Sequence, residues 1–239
     1  MYRKDWVKRG YPSHRASAIA APPPPRGFAR VYHLSRADHA IDNIKKGRLK
    51  AATFSDSNDP FELSVFFAQK PDQEKRLQRF IEETSRTYGM VCFSEDWLDP
   101  VLWSHYADKH RGIALGFDVK KTHLLKVKYK RRRALTPANP KGNDVSRFLG
   151  TKFESWSYER EHRIMVDLRK AEVDKGLKFE KFGPEVILRE VILGPLCDLE
   201  LNAVRSEVDS RHANVRTFKA RLAQTLFSVV PDEPTIPFR

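Results

Sequence analysis

Two hydrophobic periods alternate along the chain, and the switches between them mark out the elements. Ala29 to Leu34 is a short extended run, which predicts a strand. Ser35 with Asp38 three residues on has the form of a capping box. Ala37, Ala40, Ile41 and Ile44 follow at helical spacing, and Gly47 is the expected stop. An extended piece from Leu49 to Phe54 leads into Asn58-Asp59-Pro60-Phe61-Glu62. There Asp59 is placed to cap, Pro60 to take the first helical position, and Glu62 to complete the box. Leu77, Phe80, Ile81 and Thr84 are in register for an amphipathic helix over 72–87.

Met90 to Ser94 predicts a buried strand. Asp99-Pro100 opens a helix expected to run through Lys109, with Trp103, Tyr106, Ala107 and His110 on one face. Ile113, Leu115 and Phe117 alternate along a strand. A further strand at 124–130 sets Val127 and Tyr129 opposite Lys126, Lys128 and Lys130. Proline and glycine make 134–145 a loop. Strands are expected at 159–168 and 185–193, a helix at 199–210 and a hairpin at 214–230. Strands and helices mix without a regular βαβ repeat. That predicts one α+β domain over 30–239, with a central, mostly antiparallel sheet and flanking helices.

Composition narrows the classes. Of 239 residues, 40% are hydrophobic and 11% aromatic, enough for a core. No apolar run is long enough for a spanning helix, and the charged start has no apolar region behind it, so neither a membrane span nor a secretory signal is expected. Cys92 and Cys197 alone make neither a disulfide framework nor a cysteine zinc site. The expected location is the cytoplasm. A net charge of +13 raises the weight of a polyanionic partner. Six cations and the run Pro22–Pro25 fall in residues 1–29, which are expected to form a disordered or loosely packed basic arm.

Four segments carry more polar chemistry than a plain core needs. In Tyr32-His33-Leu34-Ser35, a histidine ends a strand beside a hydroxyl, an arrangement that can face an anionic or ribose-bearing ligand or be a satisfied structural histidine. Asn58, Asp59 and Glu62 can orient a substrate or bind a cation, although the capping box explains the two acids by itself. Ser94 on its strand, with Trp103, His105, Tyr106 and His110 on the next helix, can stack on a flat ring and hydrogen-bond its edge, or can be core. His105 and His110 are five residues apart, so they do not form an i,i+4 metal pair. Glu159, Glu161 and Arg163 would share one strand face, as an active-site wall or as a surface ion ladder. Glu190 is a lone acid leading into an apolar strand. Lys126, Lys128, Lys130, Arg131, Arg132 and Arg133 put six cations in eight residues, suited to nucleic acid or to a solvated edge.

Several of these words, with Cys92-Phe93-Ser94, Trp103-Ser104-His105-Tyr106-Ala107, Trp156 to Arg163 and Ile192-Leu193-Gly194-Pro195, resemble the bacterial family called domain of unknown function 2971 over residues 30–230. That likeness implies no activity. The opening Tyr32-His33-Leu34-Ser35 is also similar to the first motif of ADP-ribosyltransferase-like enzymes. What that implies is a single α+β domain of their type and NAD as the cofactor. Tyr32, His33, Ser35, Asn58, Ser94, Tyr106, His110 and Arg163 would then bind it, with Trp103 or Tyr106 stacked on nicotinamide. Glu161 or Glu190 would stabilise the sugar cation, with Glu159 and His105 as further catalytic candidates. The expected reading is a bacterial NAD-using transferase or glycohydrolase, in phage defence or a toxin system, with a small nucleotide ligand and no metal. The alternatives are a non-catalytic basic module for nucleic acid or protein, and a metal-dependent hydrolase using Asp59, Glu62 and a histidine.

Overall fold

The computed structural model describes residues 21–53, 59, 61–62, 64–138, 140 and 142–232. Chain order begins β1 (Phe28–Ser35), α1 (Ala37–Lys46), β2 (Arg48–Lys50), β3 (Phe66–Phe67), α2 (Pro71–Thr87), β4 (Tyr88–Ser94) and α3 (Pro100–Tyr106). It continues β5 (Ile113–Lys120), β6 (Leu125–Lys126), β7 (Lys128–Lys130), β8 (Ala134–Leu135), α4 (Gly142–Leu149), β9 (Thr151–Phe153) and β10 (Glu161–Asp167). Then come β11 (Glu172–Asp174), β12 (Leu177–Lys181), β13 (Val186–Leu193), α5 (Leu201–Asp209), β14 (Arg216–Leu222) and β15 (Val229–Pro231).

Eight strands form the main sheet in the order β15-β14-β13-β5-β1-β4-β10-β6. Neighbours in it are antiparallel except for β13 and β14. This is the single α+β domain with a mostly antiparallel sheet that the periodicity predicts. Ile113 to Val119 in β5 are buried in an unbroken run, because helices cover both faces. On one face Ile113, Leu115 and Val191 pack with Ala40 and Ile44 of α1 and Val204 and Val208 of α5. On the other, Tyr32, Ala114 and Ile192 pack with Trp97, Trp103 and Ala107. A third cluster joins α2 and α4 beneath β4, with the Phe66 and Phe148 rings stacked at 6.2 Å. Among the described residues, no helix is long and apolar enough to cross a membrane.

The differences from the sequence expectation are local. Ser35 is the last residue of β1, and Arg36, without a side-chain cap bond, stands at the start of α1. The Ser35–Asp38 box therefore does not form, because pairing with Ile113 holds Ser35 in the sheet. Gly47 ends α1 in the left-handed region at φ 62°. Asp59 accepts from the Phe61 N–H at 2.9 Å, but 61–62 are a turn, and the Glu62 carboxylate is taken elsewhere. The 124–130 strand is broken into β6 and β7, and the expected loop at 134–145 gives way to β8 and α4. The strand expected from residue 159 starts at Glu161, after a 3-10 turn over Glu154–Glu159 and a left-handed Arg160 at φ 45°.

The helix expected to reach Lys109 ends at Tyr106. Asp108, Lys109 and His110 all have positive φ, at 45°, 52° and 71°, and such non-glycine residues persist only where the surroundings fix them. Two hydrogen bonds do so here: His110 N–H to the Trp103 carbonyl and Gly112 N–H to the Ala107 carbonyl. The loop then passes between two strand ends. A Cβ on Gly112 would lie 2.1 Å from the Ser35 carbonyl oxygen, and one on Gly194 would lie 2.2 Å from that of His110. Gly112→Ala is expected to cost about 3 kcal/mol, since only backbone could yield. Gly183→Ala, where a Cβ meets nothing within 4 Å, is expected to be neutral when both variants are compared with the native chain by urea titration.

Candidate functional site

β4 lies between β1 and β10, so Ser94 is the register partner of both Tyr32 and Glu161. Three chain segments far apart in sequence therefore end side by side. Above them is a cavity of about 410 Å³. His33, Ser94, His105, Tyr106, Glu159 and Glu161 line it together, with Tyr32, Cys92, Glu62 and Lys152.

Its floor is an ion cluster. The Lys152 ammonium lies 2.7 Å from Glu159 and 3.4 Å from both Glu62 and Glu161. Arg163 donates to Glu161 at 2.7 and 2.9 Å, to Glu62 at 2.8 Å and to the Leu149 carbonyl at 2.6 Å. All five side chains are 5% exposed or less. Three carboxylates against two cations leave one negative charge in excess. Burial alone would raise the Glu161 carboxyl, but Arg163 and Lys152 hold it down at about 2. Burial raises Glu159, with Lys152 opposing. Two acids two residues apart are thus pushed in opposite directions, as acid/base pairs are. Burial would lower Lys152, yet Glu161, Glu62 and Glu159 raise it. Burial, with Glu161 next, pushes the Cys92 thiol well up, so it stays protonated.

The walls are imidazole and phenol. His33 Nδ1 donates to the Cys92 carbonyl at 2.9 Å, which fixes the tautomer with the proton on Nδ1 and leaves Nε2 without a partner among the described residues. Burial lowers its pKa, so the ring is neutral. Ser94 Oγ donates to the Glu159 carbonyl at 2.7 Å and ties the 3-10 turn to β4. Tyr106 donates to the Glu159 carboxylate. His105 is exposed at the rim, hydrogen-bonded to Tyr158 at 2.9 Å with Trp156 beside it.

Other predicted site residues lie outside this cavity. Trp103 is 0% exposed, and its Nε1–H donates to the Trp97 carbonyl. It is a core residue and cannot stack on a ligand. His110 stacks on Trp103 and meets Ser104 in the left-handed loop. Ser35 sits at the β1 end. Arg163 is saturated by protein partners and supports the floor instead of meeting a ligand. Glu190 belongs to a separate closed network: it accepts from Tyr32 at 2.9 Å and from the Ala21 N–H at 2.8 Å, and pairs with Arg30, which also holds Asp118. Asn58 lies outside the described residues. In the basic run, Lys126 pairs with Glu95 and Arg131 with Glu154.

Sequence reasoning missed Lys152, and it weighed Glu62 as a cap or a ligand residue and not as a partner of two buried cations. The local signal for Lys152 was no more than a cation between Thr151 and Phe153, shortly after the apolar pair Phe148-Leu149. Among the described residues, no three His, Cys, Asp or Glu side chains are grouped to hold a metal ion, and Glu62 already serves Lys152 and Arg163. No family model matches the chain, and comparison with curated proteins and with solved structures gave no match.

Lys152→Met removes a charge from the middle of the cluster. The expected cost at pH 7 is about 3–5 kcal/mol, the usual penalty for a buried charge left without its partner. The stranded carboxylates then have raised pKa values, so protonation stabilises the variant as pH falls. The gap to the native chain should narrow between pH 7 and 5 in urea titrations.

Proposed function

We propose that the chain cleaves the nicotinamide N-glycosidic bond of NAD, as an ADP-ribosyltransferase-like transferase or a glycohydrolase. The observation that carries this reading is the convergence of His33, Ser94 and Glu161 from three adjacent strands on one cavity whose floor holds an excess negative charge.

The chemistry follows from that charge. As the bond between C1′ of the ribose and the pyridinium nitrogen breaks, nicotinamide leaves with the electron pair and positive charge develops on the sugar. A carboxylate held ionised by its neighbours stabilises that charge without reorganising. Glu161, held at about 2, meets this requirement. Glu159, with its raised pKa, suits the proton transfer: it takes the proton of the attacking water or acceptor hydroxyl and releases it to solvent. His33 Nε2 accepts a hydrogen bond from a ribose hydroxyl. Tyr106 and His105 offer flat surfaces to the pyridinium. A volume of about 410 Å³ accommodates the nicotinamide riboside half of the dinucleotide, within the usual range for ligand pockets.

The test is nicotinamide release from NAD by the purified protein, followed by chromatography with and without a cell lysate as the acceptor source. Turnover is expected in the native chain. Glu161→Gln should lower kcat at least about 100-fold, and His33→Ala should mainly raise KM. No release by the native protein under either condition, or full kcat in Glu161→Gln, overturns the reading.

A further inference from the structure

A second cavity, of about 300 Å³, shares Lys152 with the first. Lys130, Arg131, Arg132 and Arg133 line it with Phe61 and Phe153. The two phenylalanines are 63% and 46% exposed, so the fold leaves both rings uncovered beside a block of cations. Arg131 has a carboxylate partner in Glu154, and Arg133 donates to the Ser64 and Phe66 carbonyls. Lys130 and Arg132 have no acidic partner among the described residues.

A ligand matched to this surface needs an apolar flat face and negative charge joined in one molecule, which is the chemistry of a nucleotide. The cations also continue past the cavity. Lys128 and Lys130 are both exposed in β7, with Tyr129 half-buried between them. They share a face at a spacing of about 6.6 Å, set by the strand rise. A nucleoside monophosphate carries one phosphate and so meets one cation of that row, whereas a strand brings a phosphate to each. A duplex keeps its bases stacked inside, where Phe61 and Phe153 cannot touch them. We infer that this surface binds single-stranded nucleic acid, with one base in the cavity against the two rings and the backbone along Lys128, Lys130 and Arg132. Aromatic stacking combined with a cationic track is the general means of holding single strands. The inference stands apart from NAD cleavage: the two cavities have only Lys152 in common, and neither proposal assigns Lys152 a ligand.

The experiment is fluorescence anisotropy on the full chain with fluorescein-labelled dT12, rU12 and a 12-base-pair DNA duplex over a range of salt. Single strands are expected to bind more tightly than the duplex. The Lys130→Ala/Arg132→Ala double variant should lower the log–log salt slope by about 1.4, at roughly 0.7 for each phosphate that is no longer neutralised. Phe153→Ala should weaken binding about tenfold and leave that slope unchanged. All three side chains are exposed, so folding is not at stake. The comparison within one chain also cancels attraction by the basic N-terminal residues. A preference between dT12 and rU12 would assign the strand as DNA or RNA. Equal affinity for the duplex, an unchanged Phe153→Ala variant, a flat salt response or full competition by equimolar ADP would each overturn the inference.

Discussion

Five buried charges from β9, β10, the 3-10 turn and Glu62 meet, and the candidate site depends on their balance. Removing such groups from water is costly, so each must be held by opposite charge or hydrogen bonds. Lys152 touches all three glutamates, and Arg163 two of them. No segment can leave without stranding a charge. That requirement ties β9, the 3-10 turn and Glu62 to β10. It also keeps Glu161 ionised while Glu159 remains able to take up a proton.

The other buried network of the sheet shows what a purely structural arrangement looks like. Arg30 and Arg189 oppose Asp118 and Glu190, two against two, and Glu190 is further satisfied by Tyr32 and the Ala21 N–H. Charge is balanced, and Glu190 lines neither of the two cavities. Around Lys152 the acids outnumber the cations, and Glu62, Glu159 and Glu161 all line the cavity. Tyr32 stands between the two, since it lines the cavity while its hydroxyl serves Glu190.

Most of the architecture was legible because periodicity reports burial. α1, α2, β4, β5, β13 and α5 fall within a few residues of where their patterns end. The misses have particular causes. Ser35 has the right residue type for a cap, but sheet pairing claims it first. Gly142 to Leu149 was hidden by the prolines before it and the glycine at its own start, although Phe148 and Leu149 are core. For the site, the sequence offered the right imidazoles and acids but not their grouping. Trp103 and Tyr106 are three residues apart on one helix, yet one is sealed behind Trp97 and the other opens on the cavity. Lys152 could not be found, because its partners lie about ten residues away on one side and ninety on the other.

The strand order has a bearing on how the chain acquires its shape during synthesis. β5, fully enclosed, is flanked by β1, some eighty residues earlier, and by β13, some seventy residues later. Its second edge has no native neighbour until the ribosome has passed Leu193 and that stretch has left the exit tunnel. Until then a highly apolar ribbon stands half-paired, a form prone to stick to other chains. Chaperone demand should therefore concentrate in the interval between translation of residue 120 and release of residue 193.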